Sequence, residues 1–167
     1  YYITRIETRL LRAVSSEIAE AIGPNSQMIE FGIGSSKKIR VILDALTTPA
    51  SFVAVDISRE SIISVTKTLA AEYPGLSVHA VCADFTQPFE IPRMTGFGRR
   101  IAFFPGSSLG NFTHDGAVDF LAGAARQVGL GGGMLIGIDL KKDPTLLTAA
   151  YNDAAGVTAK FNLNILL

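Results

Sequence analysis

Apolar positions along the chain switch between two spacings, and the switching predicts the architecture. From residue 4 to 22, Ile6, Leu10, Val14 and Ile18 recur every fourth position, and Leu11 and Ile22 widen the stripe. That pattern predicts one amphipathic helix, stopped by Gly23-Pro24-Asn25. Met28, Ile29 and Phe31 then make a short strand-type run, broken by Gly32 and Gly34. Ile39, Ile42, Leu43 and Leu46 resume helical spacing, with Ser35 and Ser36 as candidate caps. The alternation continues with a second strand over 52–55 that ends at Asp56. A helix follows from Ser58, with Ile62, Ile63, Val65 and Leu69 inward, and then a third strand over 76–81. A fourth strand covers 101–104, and a helix over about 115–128 turns Val118, Leu121, Ala125 and Val128 inward. The fifth strand runs over 134–139, and Asp143-Pro144 opens a last helix as N-cap and first-turn proline. Strands alternating with helices predict an α/β fold: a doubly wound, mostly parallel sheet, order 3-2-1-4-5.

Composition narrows the setting. A chain of 167 residues predicts one domain, and a 48% apolar content supplies a core. The zero net charge argues against a broad grip on nucleic acid or an anionic membrane. No apolar run approaches the roughly 18 residues of a membrane span. Arg5, Glu7, Arg9 and Arg12 interrupt the start, so no signal peptide is read there, and a cytoplasmic location is expected. The single cysteine, Cys82, rules out an internal disulfide and is expected to pack as a small apolar residue in a strand. His79 and His114 lie in no metal spacing, so no metal is expected.

Three constellations carry candidate chemistry. The first is Gly32-x-Gly34 with Asp56 near the end of the next strand. A glycine turn brings backbone N–H groups and a helix N-terminus to a ligand, and an acid at that offset accepts ribose hydroxyls. A tight turn with a helix-capping Asp would read the same way. Lys37 stands where a nicotinamide fingerprint wants its third glycine, and no Walker loop is present. The ligand therefore reads as a ribose with an anionic group but no pyrophosphate, which S-adenosylmethionine satisfies. The second constellation is Asp84-Phe85 after the third strand: a carboxylate for an adenine amino group and a ring to cover the base. The third is the small, glycine-rich stretch after the fourth strand, ending in Asn111, whose amide both donates and accepts. Ser107 and Ser108 have no histidine–acid partner pattern, so nucleophilic catalysis is not read there.

Several longer motifs recur in order: Tyr-Tyr-x-Thr-Arg-x-Glu at the start, Glu30-Phe-Gly-x-Gly-Ser-Ser-x-Lys, Tyr73-Pro-Gly, Asp84-Phe85, Pro-Gly-Ser-Ser-x-Gly-Asn, Asp139-Leu-Lys-Lys-Asp and Ala150-Tyr-Asn-Asp-Ala-Ala-Gly-Val-Thr. They resemble the histidine-specific, S-adenosylmethionine-dependent N-methyltransferases of ergothioneine biosynthesis. The resemblance implies that Gly32, Gly34, Lys38, Asp56, Asp84 and Phe85 bind S-adenosylmethionine. It also implies that Tyr1, Asn111 and Tyr151 hold the amino-acid substrate. The reaction it implies is attack of a neutral histidine α-amine on a sulfonium methyl, toward hercynine; no general base is assigned. Fungal relatives of that family methylate a prenylated tryptophan instead, so the acceptor stays open between the two. A cofactor-binding fragment without turnover also remains open, as does a nicotinamide-dependent reductase, which Lys37 disfavours. Family enzymes continue into two further strands, so residues 1–167 read as a partial, truncated Rossmann-like methyltransferase core. That reading leaves the fifth strand at a sheet edge and predicts self-association, pairing with another chain or poor stability.

Overall fold

The computed structural model describes residues 2–49, 51–91, 96 and 98–163. Its elements run α1 (Tyr2–Ala13), α2 (Ser15–Ile22), β1 (Gln27–Phe31), α3 (Lys37–Ala45), β2 (Ser51–Asp56), α4 (Arg59–Glu72), β3 (Ser77–Cys82), β4 (Arg100–Phe104), α5 (His114–Val128), β5 (Gly133–Ile136), α6 (Pro144–Tyr151) and α7 (Val157–Leu163). A single 3₁₀ turn, Ser108–Asn111, lies between β4 and α5. The five strands form one parallel sheet in the order β3-β2-β1-β4-β5, the order expected from the sequence. β3 and β5 are its edges.

The inner strands bury side chains on both faces, which is why they read as nearly unbroken apolar runs. Alternation along them sorts the core into two layers. Met28, Phe52, Ala54, Ile101 and Phe103 face the layer that α1 to α4 cover through Leu11, Ile22, Ile39, Ile42, Ile62 and Leu69. Ile29, Phe31, Val53, Val55, Ala102 and Phe104 face the layer closed by α5 and the 81–91 segment. Each such aliphatic or aromatic side chain contributes about 1.5–3 kcal/mol on burial. Polar groups at the strand starts are paired: Gln27 donates to Ser51 Oγ at 2.9 Å and accepts from Arg100 Nε at 2.8 Å. This ties β1 to both neighbours below the apolar rows.

Several sequence expectations need correction. The predicted helix over 4–22 is two helices, broken at Val14 (φ −113°, ψ 14°). Ser15 Oγ donates to the Arg12 carbonyl at 3.1 Å and so competes with the helix ladder at the break. On α5 the inward face is Phe120 and Ala124, whereas Val118 and Leu121 are exposed and Ala125 faces solvent. Phe120 inserts among Phe31, Phe85, Phe104 and Phe112, and this aromatic cluster sets the rotation of the helix. On α4, Ile63 lies toward solvent, and Thr66 is buried instead because its hydroxyl donates to the Ile62 carbonyl at 2.7 Å. Cys82 is exposed at the end of edge strand β3 rather than packed in the core. β5 is shorter than expected, and α7 is an element the apolar spacing did not reveal.

Candidate active site

The bend after β1 is built from backbone. Gly32 adopts φ +72° and its N–H donates to the Val55 carbonyl at 2.8 Å, which ties the bend to β2. A Cβ placed on Gly32 would also meet the Phe85 ring at 3.4 Å. Gly34 has φ +35°. Between them Ile33 is buried in the core, so the two exposed glycines present their backbone outward. The N-terminus of α3 follows, with its positive end toward the bend. Neither predicted serine cap acts as one: Ser36 sits at the N-cap without a side-chain cap bond, and its Oγ accepts from Arg40 Nη1.

The two acids stand at adjacent strand ends, since Asp56 is in register with Cys82, two residues before Asp84. Asp56 is half-buried beside the bend, and its Oδ1 accepts from the Ser58 N–H at 2.8 Å. Asp84 Oδ1 accepts from the Thr86 hydroxyl at 2.7 Å and the Thr86 N–H at 2.9 Å. Those bonds hold the Asp84 carboxyl below its ordinary range, the hydroxyl contributing most. The Phe85 ring is rooted in the core, edge-on to Phe31 at 6.1 Å, Phe104 at 5.8 Å and Phe120 at 5.7 Å.

Opposite charges gather at the head of the crevice. Glu30, the last-but-one residue of β1, is 1% exposed, and its Oε2 has no hydrogen-bond partner among the described residues. Burial pushes its carboxyl well above the ordinary range, partly opposed by the Lys38 ammonium nearby. Lys38, in the first turn of α3, pairs with Glu7 of α1. Sequence reasoning assigned no role to Glu7 or Glu30. The signal was present, because an acid inside a doubly buried strand has a high desolvation cost and calls for a reason.

The residues expected to hold the acceptor are less gathered. Asn111 closes the 3₁₀ turn and is exposed, and Tyr151 ends α6, also exposed. The loop before Asn111 turns sharply, with Gly106 at φ +93° and Ser107 at φ +58°. Tyr1 lies outside the described residues. A cleft of about 950 Å³ opens between the 85–91 segment and α5, and its lining includes Phe85 but none of Gly32, Lys38, Asp56 or Asn111. Among the described residues no group of three or more His, Cys, Asp or Glu is placed to hold a metal ion.

A parallel 3-2-1-4-5 sheet with a glycine bend after β1 and acids after β2 and β3 defines a Rossmann-like methyltransferase fold. An O-methyltransferase from neocarzinostatin biosynthesis, crystallised with S-adenosylmethionine, has this fold: TM-score 0.57, 19% identity, covering 79% of this chain and 36% of that one. The sequence profile of histidine-specific, S-adenosylmethionine-dependent methyltransferases matches residues 1–167, and the chain belongs to that family. Histidine N-alpha-methyltransferase of Mycolicibacterium smegmatis is 40% identical over 169 residues, 99% of this chain and 52% of that protein. Its Mycobacterium tuberculosis counterpart is 43% identical over 171 residues, with the same two coverages of 99% and 52%. The chain thus spans about half the length of the curated relatives it matches.

Proposed function

We propose that the protein methylates the α-amine of histidine, using S-adenosylmethionine, in a reaction leading toward hercynine and ergothioneine. The observation that carries this reading is the buried Glu30 carboxyl, its Oε2 without a hydrogen-bond partner among the described residues, beside Lys38 at the head of a glycine bend, in a chain matched end to end by the family profile. The buried Glu30 carboxyl can accept from an ammonium and the Lys38 ammonium can donate to a carboxylate, which suits the amino-acid end of the cofactor, and Asp56 beside the bend suits its ribose. In this reading Gly32, Gly34, Lys38, Asp56, Asp84 and Phe85 hold the cofactor, and residues 1–167 form its binding core. Bound S-adenosylmethionine supplies an electrophilic sulfonium methyl. Asn111 and Tyr151, with Tyr1, orient the acceptor amine; an amide does not titrate, so Asn111 acts as an orienter and not as a base. Rate then comes chiefly from alignment and exclusion of water.

Relatives at 40% and 43% identity that are histidine methyltransferases favour histidine over a prenylated tryptophan. No described helix is long and apolar enough to cross a membrane, and we assign the protein to the cytosol. We take its partner to be a small amino acid and not a nucleic acid, in keeping with the zero net charge. The test of the reaction is transfer of a labelled methyl group from S-adenosylmethionine to histidine. The expected product carries the label on the α-nitrogen. Cofactor binding without transfer to histidine, or transfer to a prenylated tryptophan in preference, would refute the acceptor.

A further inference from the structure

Glu7 lies on α1, far in sequence from the glycine bend, yet its carboxylate sits where the two halves of the crevice meet. Its Oε1 accepts the Gly106 N–H at 2.7 Å. Its Oε2 pairs with Lys38, and both side chains are largely buried. Gly106 belongs to the sharp loop that leads from β4 to Asn111. Lys38 belongs to the first turn of α3, beside the buried Glu30. A third element leaves room for the bridge: a Cβ on Gly137, just past β5, would collide with Glu7 Oε1 and lie 3.1 Å from the Gly106 nitrogen. The Gly137 N–H itself donates to the Phe104 carbonyl at 3.0 Å, so the seat is held firmly.

We propose that Glu7 is a positioning residue that joins the cofactor half of the crevice to its acceptor half. One carboxylate fixes two groups at once: the ammonium that faces the cofactor and the backbone of the loop that carries Asn111. The Gly106 bond is charge-assisted, the Lys38 contact is an ion pair, and both are largely screened from water; a charge-assisted bond is about twice as strong as a neutral one. A ligand that draws on Lys38 therefore pulls, through Glu7, on the position of the Gly106 loop. Binding on one side then changes affinity on the other, and by the same factor in both directions. The proposal rests on the methyltransferase reading for the identity of the ligands. The bridge itself belongs to the ligand-free protein.

The experiment uses Glu7→Ala, which removes the bridge, and Gly137→Ala, which fills its seat while leaving Glu7 in the chain. Calorimetry gives the histidine dissociation constant with and without saturating S-adenosylhomocysteine. In the wild type the two constants are expected to differ at least fivefold, and in both variants to agree within twofold. A protein of either variant that still unfolds cooperatively but keeps the wild-type ratio would overturn the proposal, as would a wild-type ratio of one. A second arm follows exchange of the Gly106 amide hydrogen without ligand. Exchange is expected to be at least tenfold faster in Glu7→Ala than in the wild type, and equal rates would overturn the bridge. A wild type that binds no S-adenosylhomocysteine would sink the methyltransferase reading, while the exchange arm would still decide the bridge.

Discussion

Replacing Phe120 by Ala tests how α5 is seated and what supports the floor of the crevice. Phe120 is 5% exposed and has ring neighbours at 4.5 Å (Phe104), 5.5 Å (Phe31 and Phe112) and 5.7 Å (Phe85). Removing a buried phenyl group costs about 3–5 kcal/mol, from lost transfer energy and the cavity left behind. Ring–ring geometry, worth about 0.5–1.5 kcal/mol for a single pair, is already part of such totals and is not added to them. For a chain of this size that is a fall in Tm of roughly 6–20 °C. Val118 on the same helix is 53% exposed, so Val118→Ala should change stability by no more than about 0.5 kcal/mol. Urea denaturation of the two variants with matched slopes measures the contrast. Phe120→Ala also frees one side of the Phe85 ring, so S-adenosylhomocysteine affinity should fall several-fold even where the variant is folded. Equal losses for Phe120→Ala and Val118→Ala, or a larger loss for Val118→Ala, would refute the seating of the helix.

Gly32→Ala places a Cβ at φ +72° against the Phe85 ring; about 1–2 kcal/mol of backbone strain should appear in urea denaturation, with about tenfold weaker S-adenosylhomocysteine binding by calorimetry. Glu30 is a carboxyl whose native pKa is raised, so the folded state keeps its proton to higher pH than the unfolded chain does. Its ionisation therefore adds no cost below the ordinary carboxylate range, and the cost accumulates as pH rises from that range to the raised value. Thermal melts should show Glu30→Gln more stable than wild type at pH 8 with the gain gone by about pH 4, and a gain independent of pH would contradict the assignment. Asn111→Ala should weaken histidine binding about tenfold or more while changing S-adenosylhomocysteine affinity little, as read by calorimetry; equal loss of both would remove Asn111 from the acceptor side.

Much of the fold was legible because parallel strands buried on both faces leave unmistakable apolar runs. Met28-Ile29 and Phe52 to Val55 announce β1 and β2, and the glycines between them announce the bend. The face of α5 was not legible. Val118, Leu121 and Ala125 keep a helical period as well as Phe120 and Ala124 do, and only the phenyl rings arriving from β1, β4 and the 85–91 segment decide between them; Val128, also expected inward, does pack against the core. The break at Val14 escaped for a similar reason, since the apolar stripe continues through it and a serine hydroxyl makes the difference. On the site, Asp56 and Asp84 do stand at neighbouring strand ends as their spacing implied. Glu7 could not be reached by spacing, because the bond to Gly106 joins residues 99 apart. Part of the Ala150-to-Thr158 motif has a local explanation: Asp153 accepts the Val157 and Thr158 N–H groups at 2.9 and 2.8 Å and caps α7, which lowers its carboxyl to about 2.

The claim on which the rest depends is that the bend after β1, with Asp56 beside it, is the seat of a sulfonium nucleoside. Titration of the protein with S-adenosylhomocysteine and, separately, with NAD by calorimetry tests it most directly, with Asp56→Ala alongside. The account predicts one site per chain for S-adenosylhomocysteine, at least tenfold weaker in Asp56→Ala, and no heat from NAD. Binding of NAD in its place, or S-adenosylhomocysteine affinity unchanged in Asp56→Ala, would contradict it.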